Sequence, residues 1–599
     1  MSKRILLQIV PGRASRPIRL FSALTVGLGL ALAVFLALAA ATAPARAATL
    51  CVRPGGGGLC QATIAGALAL AQDGDTIQVA AGVYNENVTI SRTVTLQGGW
   101  NLDFTSRDIN LYISAIVPAD NTQSVVAIQG NFADPAAVTP TVEGFVISGG
   151  RADLGSNHGG GLRIVDSNAR IISNTIQNNV AFFLGGGVWV QRGAPILQGN
   201  RILDNRSVGL GQQAYGGGVQ LENSDAVLSG NLFAGNLVSG TEAYGGGLDV
   251  VGSGRQVAVL GNRFISNTAL SDPAVEPDDS GYGGAIALRS GRLTLQDSVL
   301  ISNTAATGGG AIFLGGTAED CCQFTATGSE IRENAATYGG GLYSLAGRAT
   351  LGDGLLISNT AMVDGGGLLA ASGAAISVTD SLAMANQAGN NGGGFLIAAG
   401  GSFSFTNSTA VANRAGQDGG AIHNTGSISV ANTTVSGNSA GGMGGGIANF
   451  ELAGLANATI SANAGPSGAG LFNANVLNTV NSLIALNDGD NCLGAMTSLG
   501  HNLEDGVTCA LGQPTDLPDT LPEMGALADN GGATPTHALQ PDSPAVDAGD
   551  NAACGPVDQR GVPRPLDGNG DGLAVCDIGA FEFRPAGESL VYLPIALGN

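Results

Sequence analysis

Carboxylate and amide side chains crowd one short stretch, Asp567-Gly568-Asn569-Gly570-Asp571-Gly572. Oxygen donors at alternate positions, with glycine at the sixth, suit a hard cation. Asp567, Asn569, Asp571 and the nearby Asp577 are therefore the expected ligands of a calcium ion, against the alternative of a polar turn. The spacing departs from a complete EF-hand loop, because the twelfth position is Ile578 and Asp577 falls one place early.

Catalytic constellations are thinner. A glycoside hydrolase needs two carboxylates about 5–10 Å apart. A polysaccharide lyase needs a carboxylate-held cation and a base. Asp278-Asp279 lies in an acidic stretch from Asp272 to Ser280 that reads as a solvated surface loop. Asp364 and Asp418 each precede a glycine motif and read as turn residues, while Arg163, Arg201 and Arg263 are dispersed. His158, His423, His501 and His537 are too far apart for a zinc motif. Trp100 and Trp189 are expected to pack at a rim rather than serve as sugar platforms. No catalytic residue is assigned.

Charge and cysteine usage narrow the setting. Lys3, Arg4, Arg13, Arg16 and Arg19 precede an apolar run from Leu20 to Ala41, and Ala45-Arg46-Ala47 fits a small-x-small cleavage site. The run is also long enough to span a bilayer if left uncleaved. Removing residues 1–47 takes away six basic residues and no acidic one, so the net charge falls from −21 to −27. Such a surface excludes nucleic acid and anionic membranes as partners. Eight cysteines in an exported chain favour disulfides, and Cys51–Cys60, Cys492–Cys509 and Cys554–Cys576 are the expected pairs. The vicinal Cys321-Cys322 stands apart as two thiols or a metal site.

The scaffold is written in a repeat. The 96 glycines far exceed an ordinary share, yet 44% of residues are hydrophobic, which points to many tight turns between short buried strands. A Gly-Gly-Gly-apolar motif or close variant recurs, as in Gly185-Gly186-Gly187-Val188, Gly245-Gly246-Gly247-Leu248 and Gly365-Gly366-Gly367-Leu368. Variants read Gly-Gly-Ala-Ile, as at Gly283 to Ile286 and Gly419 to Ile422. Asn179, Asn205, Asn236, Asn267, Asn303, Asn334, Asn359, Asn386, Asn413, Asn438, Asn463 and Asn487 march in step with it. Units this short cannot bury a core alone and must stack. Their period-two apolar alternation makes them strands, so the expected fold is all-β: a parallel β-helix, a single-stranded solenoid of roughly sixteen coils. The glycines are expected at positive φ or close backbone approach. The asparagines are expected to take the left-handed conformation while their amides bond to the coils above and below.

The Phe-x-x-Asn and Gly-Gly-Ala-Ile repeats resemble those of bacterial polymorphic outer-membrane proteins and pectin-lyase-like β-helices over roughly 140–490. That resemblance implies a right-handed winding and says little about activity. Gln61 to Gln72 has helical apolar spacing and reads as an N-terminal capping helix, followed by first strands at Thr76–Val79 and Val94–Trp100. The stretch Gly525-Ala526-Leu527-Ala528-Asp529-Asn530-Gly531-Gly532, Ser543-Pro544-Ala545-Val546-Asp547, Asp558-Gln559-Arg560-Gly561 and Asp577-Ile578-Gly579-Ala580-Phe581-Glu582 resembles the choice-of-anchor Q domain of bacterial surface proteins. The expected organisation is 1–47 signal peptide, 48–72 cap, 73–490 β-helix, 491–583 anchor-Q-like domain and 584–599 tail. The expected role is an exported, extracellular or cell-surface protein in adhesion, glycan contact or envelope structure, without catalysis. The alternative is a polysaccharide lyase or glycoside hydrolase. Glycans or cell-envelope components are the expected partners, with membrane attachment through an uncleaved signal segment or another anchor.

Overall fold

The computed structural model describes residues 47–152, 158–271, 280–316 and 322–585. The N-terminal residues up to Arg46, with the expected signal segment, the acidic stretch with Asp278 and Asp279, Cys321 and residues 586–599 lie outside them.

One coil shows how the repeat winds. Leu248–Val251, Gln256–Leu260, Arg263–Ile265 and Thr268–Ser271 are four short strands, each joining a different parallel sheet. In that order the sheets are named I, II, III and IV, and they hold 15, 17, 16 and 11 strands. Pairing is in register from coil to coil, for example Leu248 with Ile286, Phe264 with Leu300 and Ala269 with Ala305. At the strand spacing of ~4.8 Å, about sixteen coils stack into a rod ~75 Å long. Alternate side chains point into one continuous core that includes Phe145, Phe233, Phe264, Phe324, Phe395 and Phe405. Phe233 and Phe264 stack at 4.4 Å on successive coils.

The asparagine ladder is continuous. Asn267 Nδ2 donates to Phe233 O below and to Asn303 Oδ1 above, both at 3.0 Å, while Asn267 Oδ1 accepts from the Asn236 amide side chain and backbone. The expected left-handed asparagines are not found there. The positive φ belongs to the preceding residue, for example Ser266 at 53°, Ser302 at 56°, Ala385 at 55° and Leu486 at 59°. The ladder amide must reach inward to both neighbours, so the bend is absorbed one residue earlier. Residues without glycine's freedom take it there at a cost of roughly 1–2 kcal/mol each.

In the glycine motif the positions differ. Gly245 has φ +69°, and a Cβ there would meet Leu248 O at 2.3 Å. At Gly246 a Cβ would meet Gly284 O of the next coil at 2.4 Å, so backbones touch where the turns stack.

The helical cap, α1 (Ile64–Leu70), is shorter than the expected segment. Thr63 caps it, Glu86 accepts from the Ile64 and Ala65 amides, and Ile64 and Ala67 close the core. The first strand precedes the helix. Thr49–Val52 pairs with Thr76–Ala80, and Cys51–Cys60 ties it to the helix entry.

At the far end, winding continues through Cys492–Leu493, Thr497–Ser498 and Leu503–Glu504. The chain then folds back along the outside of sheet III. Thr409 donates to Pro535 O, Thr434 to Gln559 Oε1, Ser436 meets His537 Nε2 at 2.9 Å, and Ala580 donates to Thr459 Oγ1. Cys492–Cys509 and Cys554–Cys576 are both formed, as expected.

Candidate functional site

Three of the four expected calcium ligands share one exposed loop. Asp567 accepts from the amides of Gly570, Asp571 and Gly572, Asn569 Oδ1 from Asp571, and Asp571 Oδ1 from Leu573. Their oxygens are thus turned onto backbone donors. Asp577 lies apart and buried, accepting from the Asp547 and Phe583 amides. Asp547 links the two places, since its carboxylate takes the Gly568 and Asn569 amides. Among the described residues no group of three or more His, Cys, Asp or Glu side chains is arranged to hold a metal ion.

Asp577 belongs to a buried charge cluster. Arg564 and Glu582 pair at 3.0 Å, Arg560 and Asp558 at 2.7 Å, and Glu582 Oε2 accepts the Asp577 amide. Burial, then the neighbouring Glu582, pushes the Asp577 carboxyl up to about 8, and burial raises Glu582 as well. The cluster locks the fold-back segment to itself.

Several of the other candidates are taken up by contacts within the fold. Asp364 accepts from Asn391 N and Asp418 from Met443 N, each bracing the next turn. Arg163 sits on sheet I, whereas Arg201 and Arg263 sit on sheet III with Leu232 between them. His501 meets Ala548 O, His537 meets Ser436, and His423 packs on Phe450. Cys322 is buried, its sulfur 3.0 Å from Leu288 O. On the outside of sheet I, Arg289 pairs with the fully buried Asp249 and lies 4.0 Å over Tyr215. Burial pushes the Asp249 carboxyl up against the pull of Arg289. Tyr215, Tyr244 and Tyr282 stack over this pair at 5.8 and 5.4 Å, their faces spent on one another.

The open surface with repeated chemistry is the outer face of sheet II. Its inward residues, such as Leu293, Phe324, Ala349, Ile376, Phe403 and Ile428, are buried. Pleating then forces the alternate positions outward. Register aligns these into a column of hydroxyls: Thr294, Thr325, Thr350, Ser377, Ser404 and Ser429. A second column beside it runs Gln256, Arg292, Gln323, Arg348. Two shallow cavities open on this face. One of about 530 Å³ is bordered by Asp225, Gln256, Arg292 and Thr325. The other, about 400 Å³, is bordered by Arg348, Thr350, Ser377, Ser404 and Ser429. Hydroxyls offer both donor and acceptor, while Gln and Arg offer paired groups able to bridge neighbouring hydroxyls of a ligand. Asp225, the carboxylate bordering the first cavity, is paired with Arg255 at 2.9 Å. Sequence reading missed this face. Its signal was the polar-apolar alternation of Arg292-Leu293-Thr294-Leu295-Gln296 and its counterparts, taken for strand pattern alone.

Residues 139–306 match the protein family described as "Right handed beta helix region". No curated protein matches the chain. Among solved structures, the crystal structure of pectate lyase Pel9A aligns with 90% of this chain and 96% of that one, at 11% identity and a TM-score of 0.22. That score is too low to bear on activity. The winding, the sheets and the family match together make this chain a right-handed parallel β-helix.

Proposed function

We propose that the protein is an exported, non-catalytic surface or envelope component that contacts neutral polysaccharide along sheet II. The observation that carries this reading is the column from Thr294 to Ser429, a hydroxyl on each successive coil beside the Gln–Arg column. A repeating ligand meets the same donors and acceptors every ~4.8 Å, so weak hydrogen bonds add along its length. The acidic, almost lysine-free composition disfavours a polyanion on a long contact. Three disulfides fit an oxidising compartment, and the basic-then-apolar N-terminus supplies the export signal.

The test is retention of the purified protein on neutral and acidic polysaccharides, run beside assays for released products. Neutral chains should retain the wild type. A Thr325→Val, Thr350→Val double variant, which keeps shape and strand propensity, should bind about tenfold more weakly, as expected for the loss of two hydrogen bonds. Equal retention of the double variant, or none of the wild type, counts against this face. Turnover abolished by mutating a rod carboxylate would establish an enzyme instead. For export, sequencing of the mature N-terminus should begin at Ala48.

A further inference from the structure

A separate feature lies at the N-terminal end of sheet I, on its outer side. Register stacks Thr89, Ala127, Arg163, Trp189, Gln220 and Asp249 in one outward column. Further along, the tyrosine row roofs this column, but beside Arg163 the described residues leave a recess. Small Ala127 next to long Arg163 leaves a recess of about 250 Å³, bordered by Asn87, Thr89, Gln123, Ser124, Ala127 and Arg163.

Arg163 is unusual in its pairing. The half-buried arginines Arg107, Arg192, Arg289 and Arg332 each hold a carboxylate within 3.0 Å. Arg163 instead lies 5.5 Å from the Trp189 ring centroid, and its best polar contact is neutral Gln129 at 3.3 Å. Among the described residues its Nε is buried without a partner, as are Trp189 Nε1 and Gln220 Oε1 nearby. Burial draws the Arg163 guanidinium below its ordinary value, with distant Asp166 a lesser opposing influence. His158, edge-on to Trp189 at 4.9 Å, is likewise drawn down, by burial and then by Arg163. A half-buried cation with no ion pair among the described residues, at the wall of an open recess in an acidic protein, is better compensated with an anion beside it.

We propose that Arg163 anchors a binding site for a small hydroxycarboxylic acid. The carboxylate meets the guanidinium, and the ligand's hydroxyls meet Thr89 and Gln123 at the recess rim. The site is on a different sheet from the hydroxyl face and does not depend on it.

The chain has two tryptophans, so Trp100→Phe leaves Trp189, under Arg163, as the reporter. Titrating that variant with gluconate should give a saturable fluorescence change. Methyl glucoside, with hydroxyls but no charge, should give none, and neither should sodium chloride at matched ionic strength. Arg163→Gln should weaken the gluconate response at least about tenfold, as expected for loss of a charge-assisted pair. Arg163→Lys should fall between, retaining charge but not the planar fork. Saturation-transfer NMR of gluconate with the wild-type protein checks binding without the Trp100 change. An equal response to chloride marks an adventitious ion only. That outcome, equal binding by Arg163→Gln of unchanged melting temperature, or no gluconate signal by either method would overturn the assignment.

Discussion

A ladder asparagine shows what a single side chain contributes. Asn267 makes or accepts hydrogen bonds with three residues on neighbouring coils, Phe233, Asn236 and Asn303, while fully buried. Asn267→Ala should lower unfolding free energy by about 2–4 kcal/mol, since buried partners are left unsatisfied. Asn475→Ala, which removes an exposed contact to Glu451, should change it by less than about 0.5 kcal/mol. Denaturant titration of both variants decides this. Asp577 carries the pH response. Its folded-state value, about 8, exceeds the ordinary carboxylate value, so the folded protein holds a proton that the unfolded chain has lost. The stability that this group contributes should therefore be fully present in acid, decline as pH rises, and be gone above about 8. Asp577→Asn should flatten that decline in melting temperature. A wild-type profile with no loss of melting temperature up to and beyond that pH would refute a buried proton on Asp577.

The elements depend on glycine unequally. The first motif glycine needs a left-handed backbone and has no room for a Cβ, as at Gly245. The third position already carries alanine at Ala285, Ala311 and Ala421 in sister coils. Gly245→Ala should therefore destabilise by about 2 kcal/mol or more, and Gly247→Ala by clearly less. If thermal melting ranks them the other way, the division of labour within the turn is wrong. A second polar ladder between sheets II and III went unread in the sequence. Asn174, Asn200, Asn231 and Asn262 bond in series, and Ser298 and Ser329 continue it with hydroxyls accepting the same backbone amides. Changing residue type hid its period, whereas the first ladder kept asparagine on every coil.

For the molecule as a whole, the fold-back segment acts as a clamp. Gln559 donates to Thr409 and Thr534 and accepts from Thr434, reaching across adjacent coils. Asn481 contacts both the Asp550 backbone and Cys554 sulfur, so the Cys554–Cys576 link is seated on the rod. Replacing both cysteines with serine should raise hydrogen exchange in Thr434–Ser436 and Thr459–Ser461 more than in Arg263–Ile265, far from the clamp. Uniform exchange along the rod would mean that the segment does not hold those coils. Toward the rod's middle the same sheet presents Leu355 and Leu382 where the clamped coils present Thr409, Thr434 and Thr459. The hydroxyls are placed where the returning chain needs partners.

The residues alone determined the parallel solenoid, its coil count, one asparagine ladder and the three disulfides. Each of these is written either as a strict period or as a short local spacing, and stacking identical coils converts such a period directly into contact. Tertiary structure decided the rest. Which residue before each ladder asparagine turns left-handed depends on where the amide must reach. The hydroxyl face exists because Thr294 and Ser429, 135 positions apart, fall in one column once register is set. The clamp joins Thr409 to Gln559, and the recess at Arg163 joins Thr89 to Gln123. Contacts of that range follow from the path of the chain through space, since no local pattern of residue types encodes which distant side chains share a face.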